Sequence, residues 1–526
     1  MTSAASGSVA SEDGKFAREK FSSRNVFVFA AIGSAVGLGN IWRFPYVAFE
    51  NGGGAFLVPY VVALLTAGIP LLFFDYSIGH RFRASAPLAF RRLNRKLEPI
   101  GWFQVLVSVI IAVYYAAIIG WAAWYAYFSL DQRFGSSLEE TTSFFTGDFL
   151  QMSEESFSFD FVGNITIMIA IVWIGTIVVL ALGVQKGIGR LNQFFIPLLI
   201  ILFVIMVIFA LVQDGAMDGL NQFFTPDWSV LTNYQVWIAA YGQIFFSLSV
   251  GFGIMITYSS YLKRKTNLTS SGLVVAFSNS AFEVLAGIGV FAGIGFLVHA
   301  GGMAWDDVQG GVGLAFFTFP ALIASMPAGE VFGFLFFACL VLAGFTSMIS
   351  IVEVVISAVR DKLDVNRVNG TLIVCVPLAI ISLLLMPTAT GLMTLDTLDA
   401  FSNQIGIVAC ALISILAVAL MGKLPGQRDH LNAVSSWRVG NTWFVFLAAT
   451  VVVLAITLFF TVRDFVVDGY EEYPDAVVNT WGWGAIAMVL ILGIALTFTP
   501  WKKGLELTGV PGLDPQLENK DSEATK

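Results

Sequence analysis

Long apolar runs separated by short polar connections make up nearly the whole chain, and the length of the runs matches the thickness of a bilayer. Crossing about 30 Å of hydrocarbon takes about 20 apolar residues in helical form. Windows of that kind fall near residues 26–49, 55–79, 102–130, 162–182, 189–213 and 235–262. A second set falls near 270–299, 330–362, 371–388, 396–421, 441–466 and 480–500, each bounded by Gly, Pro or charge. The pattern predicts an all-α polytopic membrane protein of twelve helices. The polar stretches 1–20 and 503–526 read as disordered tails and leave 21–502 as one transmembrane domain, with no cleavable signal expected before Val26.

Positive charge is retained on the cytoplasmic side of a membrane, so the basic residues orient the spans. Of the 28 Lys and Arg, all but Arg43, Arg133 and Arg463 lie at the amino terminus, in the even-numbered connections or in the tail. Both termini are therefore expected in the cytoplasm. Composition narrows the function further: with 57% hydrophobic and 12% charged residues, the chain cannot cover several soluble domains with polar surface. Cys339, Cys375 and Cys410 sit in apolar stretches without disulfide or metal-ligand spacing, and His80, His299 and His430 are scattered. No metalloprotease or phosphate-cradling motif occurs, and no nucleophile with an adjacent base or pair of catalytic carboxylates is apparent. An enzyme, an ATP-driven pump and a nucleic-acid-binding protein are all disfavoured.

Two spans carry small-residue clusters. The first contains Gly33, Gly37 and Gly39, and the sixth contains Ser247, Ser249, Gly251 and Gly253. Such a cluster serves close helix packing or a break in the helix. If spans 1–5 and 6–10 are repeats, the clusters occupy corresponding positions, and five being odd, the second repeat is inverted. Secondary transporters place substrate and ion sites at such broken helices near the midplane, where half-helix amino termini attract anions and freed carbonyls bind cations.

The stretch SAVGLGNIWRFPYVAFENGGGAFLVPY closely resembles the first-span signature of the neurotransmitter:sodium symporter family. The resemblance continues through AVYYAAIIGW, GQIFFSLSVGFGIMITYSSY, SGLVVAFSNSAFEV, LAGFTSMIS and LDTLDAF in family order, over spans 1 to 10. It implies the leucine-transporter fold, with a five-plus-five inverted repeat and spans 1 and 6 unwound. It also implies sodium-coupled import of an amino acid by a bacterial or archaeal protein of the cytoplasmic membrane, a monomer or weak homodimer without organic cofactor.

Two sodium sites follow from the resemblance. One would use the carbonyls of Gly33, Val36 and Ala343 with the hydroxyls of Thr346 and Ser347, an all-oxygen shell suited to a hard cation. The other would use Ala35, Asn40, Ser247 and Asn279 together with the substrate carboxylate, so that ion and substrate complete each other's site. Monoamine carriers of the family place an aspartate at the position of Gly37. Its absence here leaves room for a carboxylate, received by the amides of Leu38 and Gly39 and the hydroxyl of Tyr115, with the ammonium facing carbonyls of Ala35, Phe246 and Ser249. Ile111, Phe246, Phe252, Ser347 and Ile351 would line the side-chain pocket, which favours a neutral, hydrophobic side chain.

Ionisable residues within spans are costly and mark function by default. Glu283, expected near Tyr60, Gln243 and Ser247, stands where chloride-dependent relatives have serine. It would replace chloride and could exchange a proton across the cycle, or it is a protonated glutamate in a helix-packing hydrogen bond. Asp75 reads as a structural or proton-linked carboxylate, and Glu353 is expected at an aqueous inner vestibule. Arg43 with Asp399 would form an outer gate. Arg18 with Asp361 would form an inner one, unless the latter two are solvated juxtamembrane charges. Phe21, where many relatives have tryptophan, puts the packing of the inner latch in question. The competing reading is an amino acid sensor of the same fold that does not transport.

Overall fold

The computed structural model describes residues 18–509 apart from 154 and 309, and the side chain of 306. Among them there is no strand, only two isolated bridges. The first predicted span is two helices, α1 (Arg24–Ala35) and α2 (Leu38–Glu50), bent by 53° at the break. Nine further elements run as α3 (Gly54–Phe82), α4 (Arg95–Phe128), α5 (Gly163–Ala181), α6 (Val184–Leu211), α7 (Tyr234–Ser247), α8 (Ile254–Ser260), α9 (Leu268–His299), the shorter α10 (Gly311–Ser325) and α11 (Gly329–Lys362). The chain continues through α12 (Arg367–Leu385), α13 (Gly391–Leu420), α14 (Thr442–Val467) and α15 (Asp475–Thr497). Ten of these are long and apolar enough to cross a membrane, and the α1–α2 pair makes eleven. Helices α7 and α8, of 14 and 7 residues, are each too short to meet that criterion. The expected span 235–262 is divided between these two shorter helices, so ten crossings, or eleven with the α1–α2 pair, are supported among the described residues where twelve were expected.

Burial sorts the helices by position. The apolar windows of α4 and α11 are 89% and 72% buried, while that of α14 is 17% buried. The first two pack against each other at the centre, and α14 turns most of its Val, Ile and Phe side chains outward, as a helix bathed in lipid does. The buried core is one large contiguous cluster with two small satellites.

Both breaks have a local cause. Helix α1 ends at Ala35, Val36 leaves helical geometry at ψ 89°, and Gly37 caps α2. Between α7 and α8, Ser249, Gly251 and Gly253 all have positive φ, at 52°, 85° and 91°. L side chains disfavour that region and glycine does not, so Ser249 is the strained member of the three. It is held by its hydroxyl, which donates to the Ser34 carbonyl at 2.9 Å. The Gly251 amide donates to Asp75 Oδ2 at 3.0 Å. Freed backbone groups in a membrane interior need such partners, and these two bonds tie the second break to α1 and α3. Asp75, fully buried, is thus a cap on irregular backbone.

Of the expected tails, residues 1–17 and 510–526 lie outside the described residues. The described part of the carboxyl-terminal one is docked: Trp501 Nε1 donates to Glu98 at 3.0 Å, and Leu505 and Leu507 pack on the core.

Candidate functional site

The two breaks meet. A cavity lies between them, bounded laterally by α4, α11 and α13. All eleven residues predicted to bind substrate line it: Ala35, Leu38, Gly39, Ile111, Tyr115, Phe246, Ser247, Ser249, Phe252, Ser347 and Ile351. Helix α2 begins at Leu38, so its first amides have no acceptor within the helix. Tyr115 is hydrogen-bonded to the Leu38 backbone and to Ser347. The cavity therefore has a donor-rich end at the amino terminus of α2. At the opposite pole α1 and α7 present their carboxyl termini, whose last carbonyls favour cations.

Gly37 has ordinary φ, −117°, so its backbone does not demand glycine. Space does: a Cβ there would lie 3.0 Å from Ser347 Oγ and 3.4 Å from the Tyr115 hydroxyl. Gly39 is tighter still, with a Cβ placed 2.1 Å from the Phe246 ring.

The oxygens predicted for sodium fall in two groups beside the cavity. In the first, Ser347 Oγ lies 3.5 Å from the Gly33 carbonyl, and Thr346 Oγ1 donates to the Ala343 carbonyl at 3.0 Å. Val36 follows α1 directly. In the second, the Gly37 amide donates to Asn40 Oδ1 (2.8 Å), Asn40 Nδ2 to Asn279 Oδ1 (2.8 Å), and Asn279 Nδ2 to Ser247 Oγ (3.0 Å). Ala35 ends the helix next to this chain. Asn40, Asn279 and Ser247 are buried, and the atoms they offer a cation are neutral oxygens, the chemistry that suits an alkali ion.

One helical turn along α9 from Asn279, Glu283 is fully buried. Its carboxylate is bonded by the Tyr60 hydroxyl and by Gln243 Nε2 at 2.6 Å, and Tyr60 also bonds Ser280 at 2.8 Å. The structure thus brings together Glu283, Tyr60 and Gln243, with Ser247 in the same hydrogen-bonded group.

The two expected gate pairs differ. Arg18 Nη1 donates to both oxygens of Asp361, 2.9 Å to each, while Nε and Nη2 donate to Ser260 and Ser357 at 2.8 Å. Phe21 is buried, with its ring edge-on to Phe27, Tyr258 and Tyr261, so phenylalanine packs the latch. The outer pair is parted in this conformation: Arg43 and Asp399 are near enough to interact electrostatically but form no ion pair within 4 Å among the described residues. Arg43 stacks on Phe246, its guanidinium 4.6 Å from the ring centre. Asp399 instead accepts from Asn403 at 2.8 Å and is bonded to Tyr114. A second cavity, walled by Arg43 and Phe246, adjoins the first on this side.

Glu353 is a correction. It is fully buried rather than at a vestibule, and it accepts both Arg367 guanidinium nitrogens (2.8 and 2.7 Å) and the Tyr261 hydroxyl (2.6 Å). Glu19 joins the same network through Arg367, 3.9 Å away, and is itself bonded by Arg360 and the Val184 amide. The sequence reading also missed Tyr114, Asn403, Ile254 and Ile407, which line the central cavity. For three of them the signal was position: Tyr114 lies one turn from Ile111, and Asn403 and Ile407 lie one and two turns from Asp399, on the same helices.

Two helix breaks around a central cavity, flanked by neutral-oxygen clusters, define a secondary transporter. The chain matches the sodium:neurotransmitter symporter family over residues 18–137 and 131–502, and it belongs to that family. It is 39% identical over 472 residues to an uncharacterized sodium-dependent transporter of Methanocaldococcus jannaschii, covering 88% of this chain and 94% of that one. To the sodium-dependent serotonin transporter of Drosophila melanogaster it is 29% identical, over 87% of this chain and 79% of the relative. The crystal structure of MhsT in complex with L-phenylalanine superimposes with a TM-score of 0.72 at 30% identity, covering 85% of this chain and all of that one. The protein is accordingly a sodium-dependent membrane transporter of leucine-transporter fold.

Proposed function

We propose that the protein imports a neutral, hydrophobic α-amino acid with sodium, using two ion sites, from the Arg43 side to a cytoplasmic Arg18 side. One observation carries the reading: the cavity joins the amide end of α2 to a wall of Ile111, Phe252, Ile254, Ile351 and Ile407. A substrate carboxylate fits the amide end and Tyr115, and an apolar side chain fits the wall, at about 25 cal/mol for each Å² of apolar surface removed from water. The binding of L-phenylalanine by MhsT supports the same class. With Arg18 and Asp361 joined and Arg43 parted from Asp399, the conformation is one that admits substrate past Arg43.

The second ion site lacks a charged ligand of its own among Ala35, Asn40, Ser247 and Asn279, so the substrate carboxylate supplies it and each ligand raises the other's affinity. Glu283 supplies, ionised during the loaded inward step, the negative charge that chloride gives other members, so transport proceeds without chloride, and it carries a proton on the empty return step, counter to the substrate. Replacing Glu283 by Ser removes that charge and leaves Tyr60 and Gln243 as donors facing a vacancy of anion size. The Glu283→Ser variant is expected to take up substrate only when chloride is present, read as uptake in chloride against gluconate. Uptake by the variant that ignores the anion would contradict this role.

A further inference from the structure

Beside the Arg18–Asp361 pair lies a further cavity whose described lining carries more cations than carboxylates. Five cations line it, Arg18, Arg83, Arg92, Arg360 and Lys502, against Glu19, Asp361 and Asp364. Arg18 is committed to Asp361 and Arg360 to Glu19. The others reach the cavity from separate elements. Arg83 caps α3 in left-handed conformation, φ 47°; Arg92 ends the short helix Ala86–Leu93; and Lys502 follows α15. Arg83 donates to the Leu262 carbonyl (2.6 Å), Arg92 to those of Phe82 (2.6 Å) and Glu506 (2.9 Å), and Lys502 to that of Arg360 (3.3 Å). Among the described residues neither Arg83 nor Arg92 has a carboxylate at ion-pair distance.

We propose that this cavity binds an anion carrying a phosphate group, held by Arg83, Arg92 and Lys502. A tetrahedral phosphate offers oxygens in several directions, which suits cations converging from three elements, and guanidinium groups grip it in two-pronged fashion. The electrostatics agree. Burial, with Arg264 and Arg18 nearby, holds the Arg83 guanidinium down to about 10. Burial likewise lowers Arg92 and Lys502, outweighing the opposing pull of Asp361 on both, with Arg18 adding to the lowering. A bound anion would relieve all three. It would also join the end of α3, the 86–93 helix and the docked tail to the end of α11 that carries Asp361, and so hold the Arg18–Asp361 contact closed. Free phosphate and a phospholipid headgroup share this chemistry.

The test uses the full-length protein. In detergent, inorganic phosphate at constant ionic strength is titrated while the thermal midpoint is followed. In parallel, midpoints are compared in vesicles of phosphatidylglycerol and of phosphatidylcholine. A saturable rise with phosphate alone assigns the site to the free anion, a rise in phosphatidylglycerol alone assigns it to the headgroup, and both together support the shared chemistry. Arg83→Gln and Arg92→Gln are each expected to raise the half-saturating concentration about tenfold, one charge-assisted bond being lost. Arg463→Gln, far from the cavity, keeps the wild-type response. No shift of the wild-type midpoint in either arm overturns the proposal, as does a shift that survives in the Arg83→Gln/Arg92→Gln double variant.

Discussion

Gly37→Asp is expected to reduce amino acid uptake by at least about a hundredfold. The new side chain starts 3.0 Å from Ser347 Oγ and 3.4 Å from the Tyr115 hydroxyl, so its carboxylate occupies the place proposed for the substrate's and competes for Tyr115 and the Leu38 and Gly39 amides. Losing two bonds to a charged group, at about 1.5–3 kcal/mol each, is a factor of about a hundred or more. Gly37→Ala adds a methyl without charge, and its effect is smaller because Ser347 can turn aside. Initial rates of radiolabelled uptake for the two variants separate charge from bulk. Wild-type uptake by Gly37→Asp would mean that the substrate carboxylate lies elsewhere.

Arg367→Gln is expected to destabilise the protein by about 3–5 kcal/mol, the usual result of stranding one member of a buried ion pair. Glu353 has no exposed side-chain surface, so once Arg367 is gone the Tyr261 hydroxyl is its one remaining hydrogen-bond donor among the described residues, with Arg18 acting on its charge only from a distance. The reverse change, Glu353→Gln, costs less. Arg367 is 11% exposed, lies 3.9 Å from Glu19, and still donates to the Leu180 carbonyl. Thermal unfolding of the solubilised variants checks the order. Equal midpoints for Arg367→Gln and wild type would contradict the placing of Glu353 in a paired, structural role.

The spans were legible because bilayer thickness imposes a length that hydropathy reveals, and helix ends fall within a few residues of the apolar windows for most of the chain. The exception is α4, which starts at Arg95 instead of near residue 102, because its first turns are buried beneath the 86–93 helix and Trp501, where charge such as Glu98 is paired. The first break was legible from its glycines. The second was only partly so: Ser249 adopts a glycine-like φ through a bond to Ser34, a residue 215 positions away. Pairing across the α11–α12 hairpin escaped the sequence reading for a similar reason. Glu353 and Arg367 are 14 residues apart, and nothing in either helix's periodicity says that they face each other. The parted Arg43 and Asp399 depend on conformation, which a sequence does not encode as a single answer.

Sodium-driven accumulation is the central claim, and uptake into proteoliposomes tests it most directly. A panel of radiolabelled neutral amino acids is presented under an imposed inward sodium gradient, with chloride or gluconate outside. The expected result is accumulation of an apolar amino acid that collapses when the sodium gradient is dissipated and is unchanged by gluconate. Sodium-dependent binding with no accumulation of any member of the panel would contradict transport and leave a protein that senses its ligand without moving it.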